Sequence, residues 1–323
     1  MYRELFKIGN FPVRTYSIFL LLAFVAGMLV VRRLIKRRSL LDSQIVVDLA
    51  FWVIIGVIVG ARLLFVLMHW PDFADQPLRA FNVMEGGAVY YGGLILGMLF
   101  GFLFLLVRWK KTYPGIGFKS FTDKLFTVMD AVAPAMALGE GVGRIGCFFN
   151  GCCYGLPTDA CGIFCTDGAV HYFRGYGLPT DACGITFPPQ SYASAQYGVD
   201  HSIWPTQLFQ SGGGFLLFGL LILLLFVTRM RKGQLFGIFF FGFGALRFGV
   251  NFLRWYDPLT NDLWTNQIIA IGLMVAGVVV FLLGHFFFDK VPTVKSVAAQ
   301  RRRMEEEARK REEKKKRKSG KRK

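Results

Sequence analysis

The chain has 323 residues, of which 54% are hydrophobic and 18% charged, and its formal net charge is +17. Soluble domains usually carry about 25% charged residues, so this composition excludes an ordinary soluble domain. Much of the positive charge is local, because residues 301–323 hold 14 Lys and Arg against five Glu. These basic residues lie in a tail and in short connections beside apolar runs, which is the pattern of the positive-inside rule, and we expect no nucleic-acid partner.

Seven apolar runs are predicted to cross a membrane as helices, since about 20 apolar residues span a hydrocarbon core roughly 30 Å thick. No small-residue cleavage site follows the first run, so we interpret it as a retained span and not as a signal peptide. The fourth run is the weakest, because it is short and contains Pro134. The predicted spans are residues 16–31, 46–68, 89–107, 123–139, 206–228, 234–253 and 267–288.

The distribution of Lys and Arg predicts the orientation of the bundle. Connections rich in Lys and Arg alternate with connections that carry few. The rich connections are 32–38, 108–124 and 229–232, and the poor ones are 69–88, 140–205 and 254–266. We therefore predict an all-α bundle of seven transmembrane helices with its N-terminus outside and its C-terminus in the cytoplasm. The membrane domain covers residues 1–290, and a basic cytoplasmic tail covers 291–323.

The outer connection at 140–205 is too long for an idle loop. Its decapeptide 154–163 recurs at 176–185, with a period of 22 residues. Two copies are too few for a solenoid, so we interpret them as a local duplication. All six cysteines lie here, between Cys147 and Cys183. Their even number favours disulfides or buried thiols. Zinc is the weaker alternative because no Cys-x-x-Cys pair occurs, and we predict no metal ion and no cofactor.

Ionisable residues in or beside the predicted spans are the first candidates for a functional site, because charge in lipid is costly and usually faces the bundle interior. For Arg62 and Asp130, a structural role weighs at least as much as a functional one. Glu140 and Arg144 would form an ion pair if their helix continues. Glycines flank both Arg144 and Arg247, so a ligand could approach closely, and the guanidinium fork suits phosphate oxygens. We predict that these two arginines bind an anionic lipid headgroup.

Residues 84–94 form a second unusual segment, in which glycine pairs bracket Tyr90 and Tyr91 at the start of the third span. Tyrosines at such positions are commonly interface anchors. The alternative is that Tyr91 lines a headgroup pocket.

Several short motifs follow one another along the chain in a recognisable order. They are Ile8-Gly9, Arg14 to Tyr16, Gly60-Ala-Arg62, Gly92-Gly-Leu94, Met129-Asp-Ala-Val-Ala-Pro134, Ala137-Leu-Gly139, Gly143-Arg-Ile-Gly146, Pro205-Thr-Gln-Leu208, Leu246-Arg-Phe248, Phe252-Leu-Arg254 and Gln267. In this order the chain resembles the bacterial prolipoprotein diacylglyceryl transferases, except in the duplication and the basic tail.

The resemblance implies an activity, a location and two partners. Such enzymes move the diacylglyceryl group of phosphatidylglycerol onto the lipobox cysteine of a prolipoprotein signal peptide. The reaction forms a thioether and releases glycerol phosphate. It takes place in the bacterial inner membrane, with the active site toward the periplasm.

The chain departs from the family pattern at most positions where acid–base residues are common. The substituted residues are Tyr91 and Trp204 for histidines, Gln210 and Asn251 for glutamates, Cys147 for an asparagine and Cys152 for an acidic residue. The identity of a base is therefore open, and Glu140, Glu85 and Tyr91 are the substitutes in that order. Two alternatives remain: a degenerate paralogue that binds anionic lipid or signal peptides without turnover, and a cysteine-based redox or metal-binding membrane protein.

The residue patterns and the resemblance together give a set of candidate site residues. The predicted catalytic residues are Arg144, Arg247, Tyr91 and Glu140, and the predicted substrate-binding residues are Arg144, Arg247, Tyr16, Arg62, Glu85, Gly92, Gly93, Asn150, Gly155 and Asn251.

Overall fold

The computed structural model describes the helical part of the chain and the ordered segments between its helices. These are residues 4–8, 11–38, 44–73, 78–79, 89–112, 118–158, 184–189, 191–198, 201–228, 230–254, 256 and 262–290, with 300 and 306. They fall into two compact units. The first takes in the chain up to Val31 together with Phe126–Val291, and the second takes in Arg32–Leu125.

Helices occupy all seven regions in which the apolar runs predicted them. The helices are α1 (Thr15–Arg38), α2 (Gln44–Met68), the short α3 (Trp70–Phe73), α4 (Tyr90–Thr112), α5 (Phe118–Asn150), the short α6 (Tyr192–Tyr197), α7 (Thr206–Val227), α8 (Gln234–Asn251) and α9 (Asp262–Phe287). Among the described residues, six of these helices are long and apolar enough to cross a membrane: α1, α2, α5, α7, α8 and α9.

Large apolar side chains cover the outside of these helices. Leu216 on α7 is 77% exposed and Ile268 on α9 is 68% exposed. Apolar surface on this scale is unfavourable in water but matches hydrocarbon. The chain is therefore a polytopic helical membrane protein, as the composition predicted.

The predicted end of the fourth span, at residue 139, is wrong. Helix α5 is 33 residues long and continues through Pro134 to Asn150. The helix continues because a membrane helix tolerates a proline whose neighbours satisfy the freed backbone groups, and Pro134 is fully buried. Glu140 and Arg144 are thus helical residues one turn apart, and the long connection that follows α5 begins at Gly151.

Gly151 ends α5 in a Schellman motif. Its φ of 70° is in the left-handed region that favours glycine. Its amide donates to the carbonyl of Phe148 at 3.1 Å, and the amide of Cys152 donates to the carbonyl of Cys147 at 3.2 Å, which is the paired bonding of this cap. The chain therefore folds back, and Cys152 lies over Cys147.

Glycines set the packing of α2 against α4 in the second unit. A Cβ atom built on Gly60 would lie 2.2 Å from the carbonyl oxygen of Gly92, and one on Gly56 would lie 2.5 Å from that of Leu96. Only helices without side chains at these positions can approach so closely.

In the first unit, α8 packs against both α7 and α9. The buried carboxylate of Asp130, on α5, accepts hydrogen bonds from the amides of Gly233 at 2.7 Å and Phe236 at 3.0 Å. These are amides that a helix N-terminus leaves without an internal partner. Asp130 therefore caps α8, which is the structural role considered for it.

The described part of the connection between α5 and α7 has a small fold of its own. Strand β3 (Ile185–Thr186) pairs antiparallel with β4 (Ser202–Ile203). A separate hairpin of β1 (Glu4–Ile8) and β2 (Phe11–Arg14) precedes α1. Under β3 and β4 lies a buried cluster of Tyr154, Phe187, Ala193 and Ile203. This core holds the segment after α5 in a fixed position.

Candidate functional site

Three arginines from different elements of the first unit lie within electrostatic range of one tyrosine, Tyr256. Arg144 lies on α5, Arg247 on α8, and Arg254 just after α8. All three interact electrostatically with the hydroxyl of Tyr256. Burial raises the pKa of Tyr256, and the positive charges of the arginines oppose this rise. Tyr256 is therefore a neutral hydroxyl at physiological pH.

Arg144 is held by the helix that carries it. Its Nε donates to Oε1 of Glu140 at 2.7 Å, and the two side chains are 14% and 21% exposed. Because Oε1 of Glu140 is engaged by this pair, the carboxylate is less available as a base. The remaining guanidinium donors of Arg144 belong to a fork that can bind two oxygens of one anion.

Arg247 is positioned by the side-chain amide of Asn266. Its terminal nitrogen donates to Oδ1 of Asn266 at 2.9 Å, and the group interacts electrostatically with Arg144 and Arg254. Glu140 also interacts electrostatically with Arg247, but its carboxylate is directly paired with Arg144. A positive charge whose direct hydrogen-bond partner is a neutral amide favours an anionic ligand.

Asn251 belongs to a buried hydrogen-bond network beside these arginines. Its Nδ2 donates to Gln267 at 3.1 Å, and its Oδ1 accepts from the Tyr256 hydroxyl at 2.7 Å. Asn251 is 1% exposed. Because both ends of its amide are engaged within the protein, its function is to hold Tyr256 among the arginines.

Three cysteines form a compact cluster next to the arginines. The sulfur atoms of Cys147, Cys152 and Cys153 lie within 4.8 Å of one another, and all three are free thiols. Side chains at the start of α7 fix the backbone beneath them. Gln207 Nε2 donates to the carbonyl of Cys152 at 2.8 Å, and Thr206 Oγ1 donates to that of Cys153 at 2.9 Å.

Cys153 has an unusual backbone and an unusual thiol. Its φ of 59° lies in the left-handed region, which a residue with a Cβ rarely adopts unless its surroundings impose it. Hydrogen bonds from Cys147 and Cys152 lower the pKa of its thiol, and the charges of Arg254 and Arg144 lower it further. The arrangement thus favours a thiolate at Cys153, with the other two thiols as its hydrogen-bond donors.

Two predicted binding residues lie beside this cluster. Tyr16, at the start of α1, interacts electrostatically with all three cysteines and with Arg144. The side chain of Asn150, the last residue of α5, hydrogen-bonds the Cys152 thiol. The arginines and the thiols therefore form one continuous site.

Two buried amides of α7 keep unused hydrogen-bonding atoms. Gln207 Oε1 and Gln210 Nε2 have no partner within the described part of the chain, although both side chains are at most 2% exposed. Buried polar atoms are costly unless they are bonded. Gln207 Oε1 is thus an acceptor available to a bound ligand beside Cys152.

Comparison with known proteins gives a consistent result. The sequence profile of the family described as "Prolipoprotein diacylglyceryl transferase" matches residues 3–283. The chain belongs to the prolipoprotein diacylglyceryl transferase family. Two relatives carry the name "Phosphatidylglycerol--prolipoprotein diacylglyceryl transferase". The one from Gloeobacter violaceus is 30% identical over 278 residues, 84% of this chain and 89% of its own. The one from Pectobacterium carotovorum is 32% identical over 291 residues, 87% of this chain and 92% of its own.

Other predicted residues of this transferase family member have mainly backbone or packing contacts. Gly155 is buried between two segments, and a Cβ there would lie 2.6 Å from the carbonyl oxygens of Trp204 and Leu253. Gly92 and Gly93 pack against α2. Their predicted contacts with substrate stay predictions.

The remaining predicted residues lie in the second unit, or beyond what the structure describes. Arg62 is buried, donates to the carbonyl of Arg79 at 3.0 Å, and lies over the rings of Phe65 and Phe73. Tyr91 belongs to α4, but its side chain is outside the described residues, and so is Glu85.

The structure also adds residues that the sequence did not assign to a site. These are Arg254, Tyr256 and Gln207. Arg254 and Gln207 stand within the family motifs Phe252-Leu-Arg254 and Pro205-Thr-Gln-Leu208, which is a signal that could have identified them. Tyr256 lies outside the motifs, and its contacts with Asn251 and Arg254 identify it in the structure.

Proposed function

We propose that this chain transfers the diacylglyceryl group of phosphatidylglycerol to the lipobox cysteine thiol of prolipoproteins. The observation that carries the proposal is the electrostatic interaction of Arg144, Arg247 and Arg254 with the one hydroxyl of Tyr256, whose ring centroid lies 5.4 Å from the guanidinium of Arg254. Among the described residues of this site, three arginines against Glu140 and the Cys153 thiolate leave a net positive charge. This charge suits the phosphodiester of an anionic lipid.

The arginines act on the bond that breaks. The peptide thiol loses its proton to solvent. As its sulfur then attacks the terminal glycerol carbon of the diacylglyceryl group, the carbon–oxygen bond to phosphate breaks, and glycerol phosphate leaves with the electron pair. Arg144 and Arg247 bind the phosphate oxygens on which this charge develops, which stabilises the transition state more than the bound lipid. The Tyr256 hydroxyl and Arg254 complete the polar lining.

Binding of the second substrate falls to the thiol side of the site. Gln207 Oε1 is a buried acceptor without a partner in the described chain, and it suits a peptide N–H of the signal peptide. Tyr16, at the start of α1, interacts electrostatically with the three cysteines, and an apolar signal peptide could lie along this helix.

The proposal includes the membrane topology. α4 serves as a seventh span beside the six apolar helices. The N-terminus is outside and the C-terminus in the cytoplasm, because the basic connections alternate with weakly charged ones. The end of α5 and the start of α7, which carry the site, then lie at the periplasmic face of a bacterial inner membrane.

A reconstituted transfer reaction tests this function. The full chain in phosphatidylglycerol vesicles is mixed with a lipobox peptide, and mass spectrometry follows the mass of the peptide cysteine. We expect a gain of one diacylglyceryl group, and none with a peptide whose cysteine is serine. Arg144→Ala in a Glu140→Gln background should abolish the gain while the protein remains folded, because the second change removes the carboxylate that would otherwise be left unpaired.

A degenerate paralogue that binds anionic lipid without turnover is the second candidate. It is favoured by the absence of an available carboxylate among the described site residues. Glu140 is paired with Arg144. Asn251 stands where the family commonly has a glutamate, and both ends of its amide are hydrogen-bonded within the protein. Saturable binding of phosphatidylglycerol with no mass gain on the peptide would support this candidate and reject transfer.

A further inference from the structure

The cysteine cluster is the feature that the arginine site leaves unexplained. We propose that Cys147, Cys152 and Cys153 bind one Zn²⁺ ion, whose fourth coordination position takes the cysteine thiol of the acceptor peptide. This inference rests on the proposed transfer reaction and supplies its thiol-activating group.

The geometry of the three sulfur atoms fits a zinc ion. Tetrahedral zinc with bonds of about 2.3 Å to sulfur places its sulfur ligands about 3.8 Å apart. The sulfur atoms of Cys147, Cys152 and Cys153 lie within 4.8 Å of one another, so small rotations of the side chains bring them to bonding distance. Zinc prefers thiolate ligands, and a coordinating thiol is deprotonated.

The cluster is held by the fold rather than by chance contacts. The cap at Gly151 places Cys152 over Cys147, and the hydrogen bonds from Gln207 and Thr206 fix the carbonyls of Cys152 and Cys153. The backbone of Cys153 has a left-handed φ, and its sulfur lies on the same side as those of Cys147 and Cys152. Ligands fixed in this way lose little conformational entropy when they bind an ion.

Charge around the cluster favours the loaded state. Three thiolates and Zn²⁺ carry one negative charge in sum, and Arg254 and Arg144 interact with Cys153. A partly buried anion needs such partners. The same arginines are those proposed to bind the phosphate, so the activated sulfur and the leaving group would lie next to each other.

The open fourth position gives the cluster a catalytic function. In the described part of the chain, no fourth His, Cys, Asp or Glu joins the three thiols, and three protein ligands with one open position are typical of catalytic zinc. The peptide thiol binds there and loses its proton to solvent. Its sulfur then forms the bond to the glycerol carbon while glycerol phosphate leaves, and the thioether, a weaker ligand, dissociates.

Metal content is the first test. The full chain, purified with a phosphine reductant and no chelator, should contain about one zinc ion per molecule by elemental analysis. Cys147→Ser, Cys152→Ser and Cys153→Ser should each lose most of it. The matched control replaces Cys161, Cys165 and Cys183 by serine and should retain it. Wild-type protein without zinc, or loss of zinc in the control alone, would overturn the site.

Cobalt tests the open position separately from activity. Co²⁺ bound to the apo chain should give a sulfur-to-cobalt charge-transfer band, which grows when the lipobox peptide is added and stays unchanged with its serine analogue. An unchanged spectrum with the cysteine peptide would overturn thiol binding at the metal.

Transfer assays then separate this inference from the proposed function. Removal of zinc should slow transfer at neutral pH by at least about tenfold, since only a few per cent of a free thiol is thiolate there. Transfer at full rate by the metal-free chain would overturn the inference and leave the proposed function standing. A zinc-loaded chain without transfer would reject the proposed function alone.

Discussion

Glu140 accepts a 2.7 Å hydrogen bond from Arg144 one helical turn further along α5. This relationship exists because α5 does not stop at residue 139 but continues to Asn150. It ties the carboxylate that was the first candidate for a base to the arginine that was the first candidate for a phosphate ligand. Glu140 therefore acts by orienting Arg144.

Glu140→Gln should keep most of the transferase activity, because the glutamine side-chain oxygen can still accept from Nε of Arg144. We expect kcat/KM to fall by less than about tenfold, whereas removal of a general base typically costs 10²- to 10⁴-fold. Glu140→Ala, which removes the acceptor, should be the more damaging change. A loss of about 10³-fold in the glutamine variant, together with an altered pH profile, would identify Glu140 as the base after all.

Arg247→Lys should lower kcat/KM by at least about tenfold, since lysine is a point donor and cannot reproduce the planar fork on two phosphate oxygens. The hydrogen bond to Asn266 positions this fork. Arg37→Lys, on the exposed end of α1, is the matched control and should leave the rate unchanged. Equal rates for the two variants would argue against bidentate binding by Arg247.

Asp130→Asn should weaken the start of α8 and leave the chemistry alone. An amide can accept at only one of its two ends, so one of the amides of Gly233 and Phe236 would lose its partner. The loss of a cap costs about 0.5–2 kcal/mol. We expect a lower midpoint of thermal unfolding in detergent, with unchanged KM for the peptide, and no such shift for the exposed control Asp289→Asn.

The helices were predictable from sequence because lipid requires long apolar segments, and helices occupy every predicted region, six of them long and apolar enough to cross a membrane among the described residues. The role of Asp130 was not, since the amides it caps are more than 100 residues away in sequence. The end of α5 was misplaced because the glycine spacing after residue 139 resembles a loop, yet the stop signal is the left-handed Gly151.

The candidate site was predictable in part. Arg144 and Arg247 interact electrostatically with Tyr256, and Asn251 accepts from its hydroxyl, because a membrane bundle places its polar residues inward. That these residues bind substrate stays a prediction. The sequence could not show that the cysteines at 147, 152 and 153 form one cluster, because their approach depends on the cap geometry at Gly151. Gly92 and Gly93 were predicted to bind substrate, but their described contacts are with α2. Sequence spacing does not distinguish a glycine that packs against a helix from one that binds a ligand.

Gly60→Ala should disrupt the pairing of α2 with α4. The added methyl group would lie 2.2 Å from the carbonyl oxygen of Gly92, and a backbone atom cannot move aside as a flexible side chain can. Gly272→Ala, on α9, is the matched control, because nothing lies within 4 Å of its Cβ. Both changes raise helix propensity by a similar amount, about 1 kcal/mol, so a difference between them reports the clash. We expect Gly60→Ala to accumulate poorly and to unfold at lower temperature in detergent, while Gly272→Ala behaves as the parent chain. Equal stability of the two variants would mean that α2 and α4 are separated by more than the structure gives.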